Sequence, residues 1–229
     1  NLFNEVISRV IGTKKESEIP TSLKCEMSMR YSSANSKEIY ISLLRRDFDL
    51  LEKSFKEIFH QVFIPLMNEL GLLWQSDTIT PAHEHFISYL IKQKLLVNTE
   101  KLQVLKQTKK DKVFVLSLPM NEIHELGLMY LHYEILLNGY KSIYLGESMP
   151  IENLKDLKRH YDAIVFVSYL TVQPERDSID AYINEMTSQL VDENTELWFT
   201  GRQVEFIQKE NLSDKISIFT SISELVSLL

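Results

Sequence analysis

Five short runs of β-branched and aromatic residues, at 113–118, 142–145, 163–168, 196–200 and 216–219, alternate with stretches of helical, amphipathic spacing. The runs are continuously apolar rather than alternating, so strands formed by them must be covered on both faces. Parallel neighbours need a crossover of a dozen or more residues, which the intervening segments supply as helices at about 123–138, 151–160, 178–190, 203–210 and 222–229. Gly139 closes the first of these as a helix-terminating glycine does. The pattern predicts a flavodoxin-like, doubly wound α/β domain with a five-stranded parallel sheet. Ligands of such domains lie beyond the carboxyl ends of the strands, near the switch in strand order.

Upstream the texture differs. From Ser36 to Lys106 apolar residues recur at helical spacing, as in Leu50, Leu51, Phe55, Ile58, Phe59, Val62, Phe63, Leu66, Met67 and Leu70. This predicts a helical bundle, with Asp47 or Asp49 capping one helix and Asp77 to Pro81 opening a long helix that runs past Leu96. The lysine-rich joint at 106–112 marks the boundary, giving a poorly defined lead-in at 1–35, a helical cap domain at 36–108 and a Rossmann-like domain at 109–229.

A length of 229 residues, 44% hydrophobic and 25% charged, with a formal charge of −7, fits a globular protein with two cores. No apolar run approaches the ~20 residues of a spanning helix. Cys25 is the only cysteine, which excludes an internal disulfide framework and fits a cytoplasmic location. The acidic balance argues against direct nucleic-acid binding, because phosphate contact needs a clustered basic face. Asn1 in place of Met raises the expectation of a preceding N-terminal module.

Candidate chemistry concentrates where the first strand gives way to a helix, in Glu122-Ile123-His124-Glu125-Leu126-Gly127. Glu122 is near enough to accept one ring N–H of His124, which fixes the tautomer and raises the basicity of the other nitrogen, while Gly127 permits close approach of a bulky group. The third strand ends in Ser168-Tyr169-Leu170 and the fourth in Thr200-Gly201, at the same end of the sheet. There is no phosphate-binding glycine loop, Gly-x-Ser-x-Gly elbow or Cys–His nucleophile site, so a binding protein is expected rather than an enzyme. Tyr130, His132 and Tyr133 read as packing and surface, and Cys25, Met27 and Met29 as part of the polar lead-in.

This set resembles the cobalamin-binding domain of the methionine synthase and corrinoid-protein type, whose pattern is Asp-x-His-x-x-Gly, then Ser-x-Leu, then Gly-Gly. Here 41 positions separate Gly127 from Ser168 and 30 separate Leu170 from Thr200. The resemblance implies cobalt ligation by His124, support from Glu122, and Ser168 holding the nucleotide tail. Two residues depart from the pattern: Glu122 stands for Asp, and Thr200 for the first glycine.

The helical region carries Pro65, Gly71, Trp74, Glu84, His85 and Ser88, a pattern that resembles the helical cap of MerR-type, cobalamin-dependent transcriptional regulators, including light-sensing repressors of carotenoid genes. Spacing alone assigns Trp74 to the core and Glu84 and His85 to solvent; the resemblance instead implies that Trp74 and Glu84 cover the upper face of the cofactor. The implied architecture is a four-helix-bundle cap followed by the sheet domain, with cobalamin, most readily adenosylcobalamin, held between them. It further implies a dimer or tetramer, and DNA contact through a helix-turn-helix preceding Asn1. The alternatives are a corrinoid carrier of a methyltransferase system and an apo regulator that has lost cobalamin binding.

The photoreceptors carry a histidine immediately after the tryptophan, where this chain has Gln75. An amide is a poor cobalt(III) ligand beside imidazole. Illumination of adenosylcobalamin-loaded protein is therefore expected to give weak or absent switching. A stable bis-imidazole spectrum would overturn this, and repeating the measurement with His83 and His85 substituted would identify the replacement ligand.

Overall fold

The computed structural model describes residues 54–75, 80–208 and 212–229, without the side chains at 69, 72–75 and 83. The chain divides into two compact units, with the boundary between Ile91 and Lys92.

In the first unit, helix α1 (Phe55–Ile58) starts at Ser54, whose hydroxyl accepts the Glu57 amide at 3.2 Å while the Glu57 carboxylate accepts the Ser54 amide at 2.8 Å. This reciprocal capping box satisfies two donors that a helix start would leave open. The expected caps Asp47 and Asp49 lie outside the described residues. The helix passes through a π-helical stretch, Phe59–Phe63, into α2 (Ile64–Gln75). Ile58, Phe59, Val62, Phe63, Leu66 and Leu70 are all buried, in line with their helical spacing. Helix α3 (Pro81–Gln103) opens on the expected proline, a residue whose missing N–H costs nothing in a first turn. It continues across the unit boundary.

The second unit is built on five parallel strands: β1 (Val113–Ser117), β2 (Lys141–Gly146), β3 (Ile164–Tyr169), β4 (Thr195–Thr200) and β5 (Ile216–Ile218). Their order is β2-β1-β3-β4-β5, so the switch falls between β1 and β3. All five expected runs form strands; β1, β3 and β4 are almost wholly buried, while the edge strands β2 and β5 are mostly half-buried.

Alternation along the strands assigns the two faces. Val115, Phe166, Leu197 and Phe199 belong to a core with Ile179, Ile183 and Met186 of α6 (Ile179–Leu190). On the other face Phe114 packs edge-on against Tyr140 and Trp198, with ring centroids 5.1 and 5.4 Å apart. Helix α4 (Leu126–Leu137) covers β1 and β2 and is buried from Leu128 to Leu136 without a break. Such a helix lies inside the unit rather than on it. Its polar side chains find partners accordingly: Tyr130 donates to Glu134, and the His132 ring lies between the Ser142 hydroxyl at 2.7 Å and the Gln103 amide at 3.4 Å. Burial pushes His132 down to about 4, so it stays neutral. Tyr130, His132 and Tyr133 are thus interior, and the part of the expectation that placed them at the surface is corrected.

The helices are shorter than their periodicity predicts. Helix α4 begins at Leu126, not Ile123, for a reason that lies in the site below. The segment after β2 is one helical turn, α5 (Ile151–Leu154), followed by a 3-10 stretch, Lys155–Arg159. After β4 a 3-10 turn, Arg202–Phe206, stands where a helix to 210 was expected, and the last helix, α7 (Ile222–Val226), stops short of the terminus.

Gly201 ends β4 at φ 112°, a conformation that L side chains rarely adopt, and a Cβ there would collide with the Leu170 carbonyl oxygen. Gly201→Ala is expected to destabilise the protein by about 2 kcal/mol or more, read by urea unfolding without any ligand. A neutral result would show that the glycine is not required by the fold.

Candidate functional site

The site grows from one short loop. After β1 the chain turns tightly through Pro119, with the Glu122 amide donating to the Pro119 carbonyl at 3.1 Å and Asn121 at φ 64°. This turn directs the Glu122 side chain inward, where it is fully buried.

An isolated buried carboxylate would be costly, and here it is surrounded by donors. One oxygen accepts the amides of Ile123 and His124, both at 2.9 Å, and the Nδ1–H of the His124 ring at 2.5 Å. The other accepts the amides of Val172 at 2.6 Å and Gln173 at 2.8 Å, from the loop after β3. Desolvation pushes the Glu122 carboxyl up, but the His124 ring and the backbone amides of Gln173, Val172 and His124 outweigh it and hold the group at about 2. Helix α4 takes its first i−4 bond from the Met129 amide to the Glu125 carbonyl at 2.8 Å, and the residues before it are used in the turn that seats Glu122.

For His124 the consequence is tautomeric. Donation from Nδ1 leaves Nε2 as the nitrogen that carries the lone pair, and the side chain is 53% exposed at the carboxyl end of the sheet. A half-exposed imidazole oriented by a buried carboxylate has the form of a metal ligand with a supporting partner. Among the described residues no group of three or more His, Cys, Asp and Glu is placed to hold an ion.

The neighbouring strand ends are joined to this loop. Leu170 donates its amide to the Thr200 carbonyl at 2.7 Å, Gln203 donates its amide to the Leu170 carbonyl at 2.9 Å, and the Gln203 side chain donates to the Val172 carbonyl at 2.9 Å. The loops after β1, β3 and β4 thus form one hydrogen-bonded rim. Within it Thr171 Oγ1, Thr200 Oγ1 and Gln203 Oε1 are buried without a hydrogen-bond partner, and Thr200 is fully buried. Unsatisfied polar atoms of this kind mark a place where a ligand or water completes the set.

The expected residues divide between the two faces. Ser168, 1% exposed, shares a face with its register neighbour Phe199, and its hydroxyl lies 3.3 Å from that of Tyr182 on α6. Tyr169 and its register neighbour Thr200 point to the α4 side, where Gly127 stands. Leu170 is buried in the α6-side core. Gly127 meets Tyr169: a Cβ there would lie 2.5 to 2.9 Å from atoms of its ring. In the first unit Trp74 lies on α2, and on α3 Glu84 accepts a hydrogen bond from Ser88 and lies 3.5 Å from the largely exposed His85 ring.

Two features escaped the sequence reading. Tyr169 counted only as the spacer of Ser168-Tyr169-Leu170, although its size at that position was visible. Glu125, beside His124, accepts from Lys92 and from the Tyr144 hydroxyl at 2.6 Å. Desolvation pushes Glu125 up, but Lys92, Tyr144 and Glu147 lower it overall, while burial and Glu125 itself raise Glu147. No sequence spacing points to this cluster.

Comparison with known proteins follows the same line. A strand order of β2-β1-β3-β4-β5 defines a flavodoxin-like α/β domain, and the fold is shared with the monomethylamine corrinoid protein of Methanosarcina barkeri at a TM-score of 0.60 and 14% identity, over 99% of this chain and 94% of that one. Residues 37–97 match the B12 binding domain family model. The HTH-type transcriptional repressor CarH of Myxococcus xanthus is 29% identical over 96 residues, 42% of this chain and 31% of the repressor. The matched stretch thus spans about a third of that relative's length. Together these findings support a cobalamin-binding domain. No helix among the described residues is long and apolar enough to cross a membrane.

The cobalt end of such a cofactor fits the residues present, given the oriented His124 and the unsatisfied atoms of the rim.

Glu122→Gln replaces a five-fold acceptor by a group whose amide nitrogen must face donors. The expected loss is at least about 2 kcal/mol, read by chemical unfolding near neutral pH. Because the folded-state value is depressed from 4.5 to about 2, the stabilisation from Glu122 is fully present above pH 4.5 and lost as the pH falls towards 2, so the variant's deficit should shrink over that window. A deficit independent of pH would contradict this.

Proposed function

We propose that this chain is the cobalamin-sensing part of a MerR-type transcriptional regulator, with His124 as the residue that would hold the cobalt. The observation that carries the reading is the Glu122–His124 pair, in which a buried carboxylate fixes an exposed imidazole at the ligand-binding end of the sheet. The match of residues 37–97 to the B12 binding domain model and the similarity to the CarH repressor support it.

In this reading Glu122 orients His124, and the rim atoms Thr171, Thr200 and Gln203 offer hydrogen bonds to polar groups of the cofactor. Cobalamin would be held by His124 through Nε2 and would supply a cobalt centre there. The protein's part is to bind and orient rather than to catalyse. Binding favours one arrangement of the chain by its differential affinity for the two states, which is how occupancy is converted into a change of oligomer, dimer or tetramer, and of DNA affinity. DNA contact is assigned to a helix-turn-helix module preceding Asn1, and adenosylcobalamin to the ligand. The second reading, a corrinoid carrier passing methyl groups between partner proteins, is compatible with the fold shared with the monomethylamine corrinoid protein. A helix-turn-helix encoded upstream of Asn1 would favour the regulator.

The test is the visible spectrum of protein mixed with adenosylcobalamin and desalted, beside a His124→Ala variant. Colour retained with an imidazole-ligated spectrum in the parent, and a lost or altered spectrum in the variant, is the expected outcome. A colourless parent would sink the cofactor assignment, and identical spectra would remove His124 as the ligand.

A further inference from the structure

Tyr169 is the residue at the site whose place neither the motif nor the fold demands. It ends β3 on the face that carries Thr200, and its ring lies against Gly127 at the first turn of α4, where any Cβ would meet ring atoms at 2.5 to 2.9 Å. The ring therefore lies on the α4 side of the sheet against Gly127, which is three residues along the chain from His124. Thr200 Oγ1, fully buried on the same face, has no hydrogen-bond partner, so the phenol does not satisfy it. Moving the ring aside would leave a slot beside a glycine and an orphaned hydroxyl, which suits a flat heterocycle with a hydrogen-bonding edge.

Cobalamin carries such a group, because its nucleotide base is a flat heterocycle tethered to the lower side of the ring. When a protein imidazole takes the lower cobalt position, the displaced base must be lodged somewhere near that imidazole. We propose that Tyr169 is an internal plug in the base-binding slot, so that complete cobalamin must displace its ring whereas a corrinoid without the base binds with the plug in place. Tyr169 thereby sets the chain's preference between complete and base-free corrinoids. This rests on the reading of the site as a corrinoid site with His124 as ligand.

The experiment compares dissociation constants for hydroxocobalamin and for aquohydroxocobinamide, which lacks the nucleotide, by spectroscopic titration of the full chain. The parent is expected to bind the cobinamide at least about tenfold more tightly than the cobalamin. Tyr169→Ala should tighten cobalamin by at least about tenfold and leave the cobinamide within about threefold, while Tyr169→Phe, which keeps the ring, should behave as the parent. Tyr169→Leu, which retains apolar bulk, serves in place of the alanine variant if the latter fails to fold by thermal melting, and a shift of the preference towards cobalamin is again expected. A cobalamin-to-cobinamide ratio unchanged in the folded small-residue variant overturns the plug while leaving the corrinoid reading intact. Failure of the parent and of every variant to bind either compound overturns the corrinoid reading, and the plug with it.

Discussion

The Glu122 carboxylate is the point on which the carboxyl end of the sheet depends. Its two oxygens gather five donors from Ile123 and His124 and from the loop after β3, across 50 and 51 positions of sequence in two of the five cases. A buried charge is tolerable only when it is solvated by fixed dipoles in this way, and the same dipoles then have only one place to be. Through Val172 the loop after β3 is tied to Gln203 after β4, so one side chain organises three loops. The position and tautomer of His124 follow from that network.

The site combines rigidity and incompleteness. Helix α4 is buried along most of its length and the strands around the switch point are in regular register, which holds the strand ends in place. Against this background the unsatisfied Thr171, Thr200 and Gln203 atoms stand out, because fully packed interiors leave few polar groups unpaired. They lie on the rim and not scattered through the core. The half-exposed His124 imidazole is held by the buried acid of the same rim.

Much of this was legible in the sequence, and unevenly. The five runs became five strands, and Pro81 opened its helix, since both signals are local and strong. Glu122 and His124 were paired on spacing alone, because two residues apart in a tight turn leaves few other arrangements. The start of α4 was misjudged by three residues, because periodicity cannot show that the turn from Pro119 extends through His124. Ser54, with Glu57 three positions on, was readable as a helix start and was not used. The buried network of Tyr130, Glu134 and His132 was not readable, since its partners come from elements far along the chain.

The sequence by itself determined the class of fold and the pairing of Glu122 with His124 after the first strand. Apolar runs of strand length alternating with helices need cover on both faces. Only the tertiary structure decided what stands around that histidine. Tyr169 lies over Gly127 and Ser168 turns to Tyr182 on the opposite face, because the strand pleat sends neighbouring residues to opposite sides and the helices then choose their contacts. Whether a glycine is open to a ligand or closed by the chain's own ring depends on residues 42 positions apart meeting in space, and no local pattern encodes that.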